Sequence, residues 1–186
     1  MLETALVKHC APTLARLKAG NMFVLAGLDG RNTAREMREL NRLLAPKGVA
    51  LTVLRRCGGK TLFYLYRPDE LAAILGAEAA RAFLRRCGYG EFGSEAALRV
   101  LRQRLRAGEE FPHEVGVFLG YPLKDVLGFI RHGGRDCLLC GDWKVYADAD
   151  SAARTFARFR KCKEVYARLF QSGCPLARLT VAARPA

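Results

Sequence analysis

The chain has 186 residues, 51% of them hydrophobic and 26% charged, and its 31 Lys and Arg outnumber 18 Asp and Glu for a formal charge of +13. This is the composition of a folded chain with a real core, and it excludes a disordered or fibrous one; no apolar run nears the roughly 20 residues of a membrane-crossing helix. The basic excess suits an anionic partner, nucleic acid or an acidic protein, and equally a solvated arginine-rich surface, because the basic residues are spread along the whole chain.

Residues 2–18 keep helical apolar spacing through Leu2, Ala5, Leu6, Leu14 and Leu17, with a break expected at Pro12. Glu3 precedes the first apolar residues and no basic leader with a clean apolar core follows. A signal peptide is therefore not expected, and a cytoplasmic setting is. Residues 22–26 are short, apolar and bounded by turn residues, as a buried strand is. Asn32 or Thr33 is expected to cap a helix reaching about Leu44, with Met37, Leu40, Leu43 and Leu44 inward. Residues 49–55 and 61–66 flank Cys57-Gly58-Gly59-Lys60 and predict a hairpin over 49–66. Strand, helix and strand from Met22 to Leu54 predict a crossover and a mixed sheet.

A helical middle follows over residues 69–132. Asp69 caps its first helix, Ser94 starts another with Leu98, Leu101 and Leu105 on one face, and Pro112-His113-Glu114 opens a third. Leu123, Leu127 and Ile130 are spaced for one face of a fourth. Residues 142–146 predict an aromatic strand. Asp148 or Asp150 caps a long helix over about 151–170, and residues 176–181 predict a last strand.

The unusual stretch is residues 111–146, with two of the three histidines, a Cys-x-x-Cys pair and the only tryptophan. Cys137 and Cys140 have the spacing of a redox pair or of half a metal site. A redox thiol needs a helix N-terminus, absent here, and the two intervening leucines favour burial. A structural metal site needs four ligands, which His132, His9, Cys10 or Cys162 would have to complete. His9 and Cys10 invite a thiolate–imidazole reading, although adjacent helical residues point about 100° apart. His113 with Glu114 reads as a general base or as a solvated helix start. Cys162 lies with Phe156, Phe159, Tyr166 and Leu169 on the core face of the long helix. Arg154, Arg158, Lys161 and Arg168 form its basic face, without interleaved aromatics for stacking bases. Seven cysteines, an odd count, argue against a complete disulfide framework. The glycines match neither GxGxxG nor a Walker pattern.

Four segments together carry a resemblance: His9-Cys10-Ala11-Pro12-Thr13-Leu14, Lys18-Ala19-Gly20-Asn21-Met22-Phe23, Phe118-Leu119-Gly120-Tyr121-Pro122 and Trp143-Lys144-Val145-Tyr146. In their order the chain resembles the bacterial "domain of unknown function 3793" family of small proteins. The resemblance implies one cytosolic domain over 1–186 and no activity. It singles out His9, Cys10 and Tyr121 as catalytic candidates, and Asn21, Trp143 and Lys144 as cofactor-binding ones; the Cys-x-x-Cys spacing makes Cys137 and Cys140 the metal candidates, and the cofactor is unidentified. The expected fold is α/β or α+β, with a small mixed sheet of about four or five strands and helices packed on it. The leading functional expectation is a thiol-based or metal-linked site, with the first strand beside the Trp143 strand. The alternatives are a basic module binding nucleic acid or an acidic protein, and an enzyme acting on an anionic small molecule.

Overall fold

The computed structural model describes residues 1–107 and 111–183. It is a mixed α/β structure with two compact units, one made of residues 1–71 and 162–186, the other of residues 72–161. Among the described residues no helix is long and apolar enough to cross a membrane.

The first unit opens with helix α1 (Leu2–Leu14). Pro12 does not break it, because it lies in the last turn, where one missing N–H costs a single bond. The helix stops short of the expected Lys18. Arg16 takes a left-handed conformation at φ 57, so that Leu17 N donates to Pro12 O and Arg16 N to Thr13 O. This closes the helix in a Schellman motif. Strand β1 (Gly20–Ala26) follows, then α2 (Gly30–Leu44). Asp29, rather than Asn32 or Thr33, caps α2 by accepting from Asn32 N at 3.0 Å.

The hairpin forms as expected from β2 (Ala50–Cys57) and β3 (Lys60–Tyr66). Gly58 and Gly59 have φ 55 and 70, the two positive angles a tight I′ hairpin turn demands. β3 sits between β1 and β2 and runs antiparallel to both. The sheet is therefore antiparallel throughout, not mixed, because the hairpin strand occupies the gap the crossover leaves. Its inner face carries Phe23, Leu51, Phe63 and Leu65. Leu2, Leu6, Cys10 and Leu14 of α1 and Leu40 and Leu44 of α2 pack into the same core. Four-residue spacing puts the α1 set on one stripe.

The last expected strand is instead a short helix, α9 (Leu176–Leu179). Pro175 precedes it, Thr180 Oγ1 donates back to Leu176 O at 2.8 Å, and the i, i+3 pair Leu176 and Leu179 joins the core. The segment then runs back along the first unit, where Val181 N donates to Leu14 O and Ala183 N to Lys47 O. Arg67, fully buried, ties these pieces together. Its guanidinium donates to Thr13 O at 2.9 Å, Leu14 O at 2.9 Å, Val181 O at 2.7 Å and Lys47 O at 3.3 Å.

The second unit is mainly helical. The helix α3 (Pro68–Gly76) leads into it, followed by α4 (Glu78–Arg86), α5 (Ser94–Ala107), α6 (Val115–Phe118) and α7 (Leu123–His132). A two-stranded antiparallel ladder of β4 (Leu139–Cys140) and β5 (Lys144–Val145) comes next, so the aromatic strand is shorter than the expected 142–146. The long helix α8 (Ala149–Gln171) begins here, capped by Asp148, which accepts from Ser151 N at 3.0 Å. The strands among the described residues thus form two separate sheets. There β1 pairs with β3 and the Trp143 segment with β4, so the expected neighbourhood of those two strands does not occur.

Candidate functional site

In the second unit the aromatic rings are arranged around one buried carboxylate. Asp125 lies in the first turn of α7 and is only 4% exposed. It accepts from Trp143 Nε1 at 2.8 Å, from Tyr146 N at 2.8 Å and from Ala147 N at 3.1 Å. Three N–H donors satisfy this buried carboxylate. They also fix the loop carrying Trp143 against α7. Gly128, one turn on, leaves room for this approach: a Cβ there would stand 2.4 Å from Tyr146 Cβ.

Tyr121 enters from the bend after α6. Gly120, at φ 71, turns the chain so that the Tyr121 ring stacks on Trp143 at 5.2 Å. Tyr121 Oη donates to Asp142 O at 3.0 Å. Burial, with the Asp142 carboxylate adding to it, pushes its phenol up to about 12, so Tyr121 is a neutral donor at physiological pH. Trp143 meets Phe156 edge-on at 4.5 Å, and Gly141 gives that ring its space. Lys144 Nζ donates to Gly134 O at 2.6 Å and lies 5.9 Å from the centre of the Phe129 ring. His113 meets the same ring edge-on at 5.1 Å.

Tyr121, Trp143, Phe129, His113, Lys144 and the exposed Cys140, among others, line a half-open cavity of about 370 Å³. Four of the sequence candidates, Tyr121, Cys140, Trp143 and Lys144, therefore meet. Asp125 and Phe129 are not singled out by motif or spacing. In α7 it is Asp125 and Val126 that are buried, whereas Ile130, expected inward, is 42% exposed.

The remaining candidates lie elsewhere. His9, Cys10 and Asn21 belong to the first unit. Cys10 is completely buried among the core side chains, and burial pushes its thiol far above the ordinary range; a thiol held protonated is a poor nucleophile. His9 stacks on Phe23 at 5.7 Å, and burial followed by Lys8 and Lys163 lowers its pKa. Asn21 Oδ1 accepts from Thr13 Oγ1 at 2.8 Å. Cys137 is half-buried. Among the described residues no group of three or more His, Cys, Asp or Glu stands close enough to hold a metal ion, so Cys137 and Cys140 have no third ligand there. Cys162 lies in the core, and its thiol is pushed up to about 11 by burial. Arg154, Arg158, Lys161 and Arg168 are exposed on α8.

Native alkylation with iodoacetamide at pH 8, read by peptide mass spectrometry, is expected to modify the exposed Cys57 and Cys140 first. Cys10 and Cys162 are expected to react only after denaturation. Labelling of Cys10 as fast as Cys57 would contradict its burial.

A family model described as a protein of unknown function (DUF3793) matches residues 6–180. No match was found among the curated proteins or among the solved structures.

Proposed function

We propose that this chain, which belongs to the DUF3793 family, binds a flat, largely apolar small molecule in the cavity of its second unit. The observation that carries this reading is the gathering of Tyr121, Trp143, Phe129 and His113 around one space of about 370 Å³. Ring walls favour a planar guest over a branched one. The volume falls in the range of roughly 300–1,000 Å³ that small-ligand sites occupy, and a few polar groups at an apolar wall are their usual composition. The network on Asp125 preorganises the wall, because Trp143 is hydrogen-bonded and stacked without a guest. Cys140, an exposed thiol, lines the same cavity.

Calorimetric titration with 2-naphthamide tests the reading. One saturable site is expected, weakened at least about fivefold by Phe129→Ala, since a lost aromatic contact is worth about 1 kcal/mol or more. The bound amide is expected to slow alkylation of Cys140. Absence of saturable binding, or binding indifferent to Phe129→Ala, sinks the reading.

A further inference from the structure

We infer that the guest carries a carboxylate, held by Arg104, so that the ligand class is an aryl carboxylate and not a neutral ring. This rests on the reading of the ring-lined cavity as a binding site. A second hollow, of about 420 Å³, adjoins that cavity, for Phe111 and His113 line both. Arg104 of α5 and Glu114 lie in its wall.

Glu114 is 3% exposed and is held from two sides. Arg104 donates to it through Nε, and the buried Tyr89 hydroxyl donates to the same oxygen at 3.3 Å. Arg104 keeps 43% of its side chain exposed. Its two terminal nitrogens have no hydrogen-bond partner among the described residues. The buried carboxylate thus holds the guanidinium through Nε, and the terminal fork belongs to a side chain that lines the hollow. That fork matches the two oxygens of a carboxylate, and its pre-set orientation removes much of the entropy cost of closing on one.

The charge balance narrows the class further. Glu114 bonds the guanidinium at Nε and cancels part of its field, which suits a monoanion better than a phosphate dianion. His113 and Phe111, which line both spaces, are the residues a ring in the cavity and its carboxylate at Arg104 would both pass.

The test is a paired calorimetric titration of the full chain at pH 7 and low salt with 2-naphthoate and its uncharged isostere 2-naphthamide. The acid is expected to bind at least about tenfold more tightly, as a charge-assisted pair allows. That preference is expected to vanish in the double variant Arg104→Met/Glu114→Gln, which removes the guanidinium without leaving a buried charge unpaired, while amide affinity is kept. Equal affinities in the parent protein, or a preference that survives in the double variant, overturn the inference and leave the ring-lined site standing. Binding of neither compound overturns both. The parent comparison needs no variant, so misfolding of the double variant cannot rescue the inference.

Discussion

Replacing Arg67 by Met is expected to lower the stability of the first unit by about 3–5 kcal/mol, the range for breaking a buried charged network by removing one member. Four carbonyls, of Thr13, Leu14, Val181 and Lys47, share this one guanidinium as a donor. Among the described residues no carboxylate bonds it directly. Burial lowers its pKa while Glu70 and Asp69, at a distance, work to raise it. The native fold tolerates the buried charge because the carbonyl dipoles converge on it. Arg67→Lys keeps the charge and loses the fork, so it is expected to recover less than half of the loss. Urea unfolding followed by circular dichroism measures both; a loss below about 1 kcal/mol for Arg67→Met, the worth of one ordinary hydrogen bond, would show that the carbonyls find other donors.

Asp125→Ala is the counterpart in the second unit. It leaves three donors, Trp143 Nε1, Tyr146 N and Ala147 N, without their acceptor. At about 1–3 kcal/mol for each buried unsatisfied group, partly relieved by entering water, a loss of about 3 kcal/mol is expected. The effect has a second readout. Trp143 is the only tryptophan, so a released indole is expected to shift its emission to the red and to lose 2-naphthamide binding. Asp125→Asn keeps an acceptor but also presents an NH₂ group to N–H donors, and is expected to fall between. Unchanged emission in Asp125→Ala would mean that stacking on Tyr121 alone sets the indole.

How far the fold shows in the residues depends on the range of the forces that decide each element. The hairpin at Gly58-Gly59 is local: two residues with positive φ and flanking β-formers settle it. The cap of α8 is local too, legible as one of two choices and found at Asp148, whereas that of α2 falls at Asp29 and not at the expected Asn32 or Thr33. The family is legible from four short segments, and the match over residues 6–180 agrees with them. The inward face of α7 is not. Apolar spacing favours Leu123, Leu127 and Ile130, whereas the helix turns Asp125 inward because donors 18 to 22 residues further on require an acceptor. No local window contains that demand. The segment 176–181 turns helical for a related reason: its two leucines satisfy the core from a single helical turn. The cysteines mislead because a thiol is a small hydrophobe as often as a reagent, and only burial separates Cys10 from Cys140.

The first unit is discontinuous in sequence, residues 72–161 intervening between its two parts. Its central guanidinium reaches across 114 positions to Val181 O. On the ribosome, Arg67 emerges long before that carbonyl exists, so the nascent first 71 residues present an incompletely coordinated charge and a core lacking Leu176 and Leu179. The intervening stretch is contiguous and meets its own acceptor and donors as it is made. Synthesis therefore makes Val181 O, the last member of the Arg67 network, only after every residue of the intervening unit has been made.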